Sequence, residues 1–112
     1  ATKPDNPQIP ISAAAAALRA NRPEMAIELL QPAAKQMPNS AAIYRMLGAA
    51  HYRRGDYQSS QVALQQALSL DKSSALSYLL MGSTLAKLGE SEAAEAHFRQ
   101  ARTLDPKYRA VR

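Results

Sequence analysis

YRMLGAAH at residues 44–51 returns as YLLMGSTL at residues 78–85, and the spacing of the two stretches decides the fold. Tyr44 pairs with Tyr78 and Gly48 with Gly82, both at one 34-residue offset. Working outward, Gly55 and Gly89, Ala67 and Ala101, Leu70 and Leu104, and Asp71 and Asp105 keep that same offset, and Pro38 and Pro106 stand at twice it. The chain has 4 glycines, and every one falls into this register. A fixed period of this length marks a repeat architecture, in which each unit buries its apolar face against its neighbours.

Each repeat carries two helical stretches. Gly48 and Gly82 stand mid-helix, where glycine costs about 1 kcal/mol against alanine, so they fit a close helix crossing. Gly55 and Gly89 lie between helical patterns, where a left-handed residue ends a helix. Ser40, Asp56, Ser74 and one of Glu90 or Ser91 stand where N-caps belong. These signals, with small and large apolar residues at a 3.6-residue period, predict helices over 10–20, 23–36, 41–53, 57–70, 75–88 and 91–104. Pro23 suits a first helical turn. Pro32 falls inside its helix, removes a hydrogen bond and presses on the Glu28 carbonyl, which predicts a kink or early end at a cost of about 3 kcal/mol.

The prolines at 4, 7 and 10 make the start, ATKPDNPQIP, read as a semi-extended linker, with residues 1–8 outside the repeat domain. The domain itself spans 9–106, in repeats of about 7–40, 41–74 and 75–108. The stretch 107–112 reads as the start of a further helix or a tail. The first residue is Ala rather than Met, so the chain reads as a fragment or processed product.

Tyr44-x-x-Leu47-Gly48-x-x-His51 and Tyr78-x-x-Met81-Gly82-x-x-Leu85 resemble the Trp-x-x-Leu-Gly-x-x-Tyr run of the tetratricopeptide family. Ala94-x-x-x-Phe98, then Ala101 and Pro106, resembles the second half of that motif. The middle repeat departs from it with Ser60, Leu64 and Lys72, and the first is degenerate but keeps Ala26-x-x-x-Leu30, Ala33 and Pro38. The resemblance implies an all-α, right-handed solenoid of antiparallel helix pairs that holds another polypeptide rather than catalysing a reaction.

It also implies that the first helix of each repeat lines a concave groove. That register selects Ala42, Arg45, Met46, Ala49, Tyr52 and Arg53, then Leu76, Leu79, Leu80, Ser83, Ala86 and Lys87. In the first repeat it selects Ile11, Ser12, Ala15, Leu18 and Arg19. Ala75, Tyr78, Met81, Gly82 and Leu85 form one apolar stripe, read as internal packing. Leu76, Leu79, Leu80 and Ser83 form a second at i, i+3, i+4 and i+7, and a helix apolar on two faces should be covered on both. Arg19, Arg45, Arg53 and Lys87 would rim this surface, so the expected partner is an amphipathic protein or peptide segment with acidic flanks. A subclass of the family grips chaperone C-terminal carboxylates through Lys, Asn and Arg. The corresponding positions here hold Ile11, Ala15, Met46, Leu76 and Leu80, so that role is not expected. Two alternatives stand beside the adaptor reading: a self-association or scaffolding module forming a homo-oligomer, and a regulatory region of a larger enzyme such as a transferase.

The rest of the sequence narrows the chemistry. Cysteine is absent, so disulfides, thiolate metal sites and cysteine nucleophiles are excluded. The net charge is +5, but the basic residues are spread along the chain rather than clustered with stacking aromatics, so no nucleic acid is expected. No apolar run approaches the roughly 18 residues of a membrane span, so no membrane insertion is expected. His51 takes the place of a packing aromatic, and His97 has no second ligand at metal spacing. There is no glycine-rich phosphate loop and no nucleophile elbow, and Glu92 and Glu95 read as charges favoured near a helix start. No catalytic residue, metal or cofactor is therefore expected. The compartment stays open between cytoplasm and periplasm.

Overall fold

Side chains at the helix ends set the boundaries of this chain. The hydroxyls of Ser40 and Ser74 and the carboxylate of Asp56 accept hydrogen bonds from the backbone N–H groups of Ile43, Ser77 and Ser59 at 3.3, 3.2 and 3.2 Å. Each thereby satisfies an amide that the helix itself cannot. The computed structural model describes residues 6–108, and among them run six α-helices: α1 (Gln8–Arg19), α2 (Pro23–Gln36), α3 (Ala41–Arg54), α4 (Tyr57–Leu70), α5 (Ala75–Lys87) and α6 (Ser91–Leu104). Glu90 is the N-cap of α6, without a side-chain cap bond. Gly55 and Gly89 turn the chain at φ of +87° and +83°, and Asn21 does so at +60°. Asn21 lies one repeat before Gly55, so the first repeat makes the same turn with the residue that best tolerates it after glycine.

Three expectations need correction or bounding. The extended start does not persist to residue 10: α1 begins at Gln8, with Pro7 as N-cap and Pro10 in its first turn. First-turn amides have no intrahelical acceptor, so proline loses nothing there. The earlier part of the expected linker, residues 1–5, lies outside the described residues. Pro32 does not end its helix early, because α2 continues to Gln36. Glu28 and Pro32 both stand on the exposed side of α2, where water can serve the carbonyl that loses its partner. Lys107 belongs to a single 3-10 turn, Pro106–Tyr108, and residues 109–112 lie outside the described region.

Each helix packs on the next in sequence, across short turns, over an envelope of 47 × 25 × 22 Å. The core runs through the stack as two clusters that meet at α4. Ala63 belongs to the cluster built from α1, α2 and α3, and Leu64 to the one with Met81, Leu85, Ala94 and Phe98. Leu30, Ile43 and Leu64 are fully buried, each contributing about 1.5–3 kcal/mol. At the crossings, a Cβ on Gly48 would sit 2.5 Å from Leu64 Cγ, and one on Gly82 would sit 2.7 Å from the Phe98 ring. Both mid-helix glycines are therefore required by packing.

Candidate functional site

The contacts between helices separate two faces. α1 touches α3 and α3 touches α5, whereas among the described residues α2, α4 and α6 do not touch one another. The first helices of the pairs thus line the inner side of the stack, and the second helices form the outer side.

On α3, Arg45, Met46, Ala49 and Tyr52 are half-buried and Arg53 is exposed. On α5, Leu76 is 41% exposed, Leu79, Leu80 and Ser83 are half-buried, and Lys87 is exposed. The contact between α3 and α5 sets these two rows side by side. Met46 also packs against the first core cluster, and Leu79 and Leu80 against the second. Leu79 and Leu80, placed by the sequence on a stripe separate from the internal packing stripe, therefore share in the core packing. α5 is flanked by α3, α4 and α6, so both of its apolar stripes are partly covered. Leu18, read from sequence as a groove residue, is buried in the core at 7% exposure.

Two of the rim cations have partners. Arg53 Nη2 donates to the Leu18 carbonyl oxygen at 2.9 Å, which ties α3 to the end of α1. Arg45 lies close enough to Asp71 to help hold its carboxyl below the usual carboxylate range, after the stronger effect of the Ser73 hydrogen bonds. Tyr52 meets Tyr57 edge to face, with ring centroids 5.4 Å apart.

The interior holds polar contacts that the apolar pattern could not show. Ser60 Oγ lies 2.8 Å from the Gly48 carbonyl oxygen and 3.0 Å from Thr84 Oγ1, and Thr84 Oγ1 lies 2.8 Å from the Leu80 carbonyl oxygen. Two hydroxyl protons serve these three contacts. The repeat register carried a signal for them: Ser60 aligns with Ala26 and Ala94, and Thr84 with Ala50, positions reserved for small side chains.

A cavity of about 680 Å³ opens on the outer side over Tyr44, Leu47 and His51, walled by Val62 and Gln66 of α4. A smaller crevice of about 320 Å³ lies over Met81 and Leu85, the residues one repeat on from Leu47 and His51. Such crevices follow wherever one helix separates two outer helices, so they are a by-product of stacking. The inner apolar surface has no such geometric necessity and is the better candidate. His51 Nδ1 is buried without a partner, and burial holds its pKa below the ordinary imidazole value, against the opposing effect of Asp56. Among the described residues there is no group of three or more His, Cys, Asp or Glu able to hold a metal, and no helix is long and apolar enough to cross a membrane.

Paired helices repeating at a fixed period, crossing at glycine and exposing a continuous inner face, define an α-solenoid repeat protein. The tetratricopeptide repeat model matches residues 12–60 and 46–109, and the chain belongs to the tetratricopeptide repeat family. Among solved structures it is similar to MamA, with a TM-score of 0.84 and 25% identity, over 93% of this chain and 61% of that one. The chain thus spans less than two thirds of MamA's length. It is also similar to the second tetratricopeptide domain of Spaghetti (RPAP3) bound to an HSP90 peptide, with a TM-score of 0.83 and 19% identity, over 86% of this chain and 89% of that one. The Yersinia enterocolitica secretion chaperone SycD, in complex with a peptide of the translocator YopD, gives a TM-score of 0.85 at 18% identity, over 96% of this chain and 84% of that one. Among curated proteins no sequence matches the chain.

Proposed function

We propose that the chain is a protein-interaction module that holds a peptide or helix of a partner along the inner face of α1, α3 and α5. The observation that carries this reading is α5. It is already packed by three neighbouring helices, yet still presents Leu76 at 41% exposure beside half-buried Leu79 and Leu80. Apolar surface in one row at a concave face is best covered by another polypeptide. Spaghetti and SycD hold peptides in structures of the same fold, which supports the reading at the level of the module. Apolar side chains at Ile11, Ala15, Met46, Leu76 and Leu80 favour apolar anchors rather than a terminal carboxylate. Arg45 and Lys87 favour acidic flanks, and charges of this kind act mainly on association rate and salt dependence.

The test uses a random-peptide display library panned on the chain, with the selected peptides titrated by fluorescence anisotropy. Leu76→Glu with Ser83→Glu alters the inner face at two residues outside both core clusters. Binding should weaken tenfold or more while helicity is unchanged. Peptides that bind wild type and the double variant equally would place recognition on another surface.

A further inference from the structure

The two ends of the helix stack differ in a way the inner face does not explain. Ile9, Ala13 and Ala16 of α1 occupy the positions that Ile43, Leu47 and Ala50 occupy one repeat later and Ser77, Met81 and Thr84 two repeats later. Those six later residues are all buried, at 0%, 6%, 0%, 1%, 3% and 0% exposure. They sit on helices against which α2 and α4 pack. At the first repeat nothing among the described residues covers the same surface: Ile9 is 65% exposed, and Met25 and Leu29 of α2 are 44% and 38% exposed. Between Ile9 and Leu29 lies a cleft of about 270 Å³ whose lining, which includes Ala13, Pro32 and Met37, is almost wholly apolar.

Among the described residues, the equivalent positions on α6 carry charge. Gln61, Gln65 and Leu68 of α4 border the crevice against α5, and their counterparts in the next repeat are Glu95, Arg99 and Arg102. Glu95 and Arg102 form an ion pair at 2.8 Å. A second molecule stacking head to tail would bury these charges against Ile9, Met25 and Leu29, and that desolvation is unfavourable. The apolar end face matches itself instead.

We propose that the N-terminal end face, built from Ile9, Ala13, Met25, Leu29 and Pro32, pairs with the same face of a second copy to form a two-fold dimer. A shared patch related by a two-fold axis closes at two subunits, so no filament follows. Ala13 and Ala16, both exposed on this side of α1, allow close helix approach. Charge complements the pairing: with α2 antiparallel to its mate about Gln31 and Pro32, exposed Glu28 meets the mate's exposed Lys35, twice by symmetry. This surface is separate from the inner face, so it stands or falls independently of the peptide-binding reading.

Light scattering over a concentration series reads the oligomeric state directly. Wild type should approach twice the 12.1 kDa of one chain as concentration rises. Leu29→Glu, and separately Ile9→Glu, should remain monomeric with unchanged helicity, because both residues are exposed in the single chain. Leu29→Glu should still bind the peptides selected for the inner face. The absence of native cysteine permits a second measurement. Pro32→Cys alone should oxidise to a disulfide-linked dimer, whereas Arg99→Cys alone should not. A monomer at every concentration, a dimer that survives Leu29→Glu, or cross-links joining Pro32→Cys to Arg99→Cys in a mixture would each overturn the proposal.

Discussion

The guanidinium of Arg53 reaches back to α1 and donates a hydrogen bond to the Leu18 carbonyl oxygen at 2.9 Å. The same carbonyl also accepts from the Asn21 backbone N–H at 2.9 Å, and a cation near the last carbonyls of a helix is favoured by its dipole. Arg53 thus acts as a strut between α3 and α1 as well as a charge beside the inner face. Arg53→Met should lower stability by about 1 kcal/mol. Amide exchange should quicken mainly in α1, and peptide affinity should fall less than in the Leu76 variant. Unaltered exchange in α1 would show that the hydrogen bond does not hold the two helices together.

Glycine at the two crossings makes a sharper forecast. Gly82→Ala gains about 1 kcal/mol of helix propensity but drives a methyl group into the Phe98 ring, and overpacking of this kind costs about 1–3 kcal/mol. The net change in chemical denaturation should be destabilising. Phe98→Leu introduced together with Gly82→Ala should recover part of the loss, because the two sites share one contact. Strict additivity in that double-mutant cycle would contradict the crossing.

Acid should weaken the fold through His51. Burial lowers its folded-state pKa below the unfolded value of 6.5, with Asp56 opposing and Arg54 reinforcing the shift. Above that value the imidazole is neutral in both states and contributes no pH dependence. As pH falls through it, the unfolded chain takes up a proton that the folded chain resists, so stability declines until the folded group also titrates. His51→Phe should raise the melting temperature at pH 5 more than at pH 8. An equal rise at both values would remove His51 as the cause.

Much of this architecture is legible in the chain because glycine, the capping residues and the repeat period act locally. Gly55 and Gly89 end their helices in the left-handed conformation, and Ser40, Asp56 and Ser74 begin theirs, as their chemistry requires. Pro10 and Pro32 are harder to place, since the cost of proline depends on whether the missing hydrogen bond would have formed and whether water replaces it. The inner face is partly legible. Register identifies which residues of α5 lean inward, but how far α3 and α6 cover Leu79 and Leu80 depends on helix spacing, which composition does not encode. Leu18 falls in the core rather than the groove for the same reason. The Ser60–Thr84 contact joins two helices through hydroxyls, so no hydrophobic period reveals it.

The claim that the inner face receives another polypeptide is tested most directly by amide chemical-shift mapping of the 12.1 kDa chain with a library-selected peptide. Shifts should concentrate at Arg45, Met46, Ala49, Leu76, Leu80 and Ser83 and leave Gln58, Val62 and Gln66 on the outer side unchanged. Perturbations confined to α2 and α4, with α3 and α5 silent along their inner rows, would contradict it.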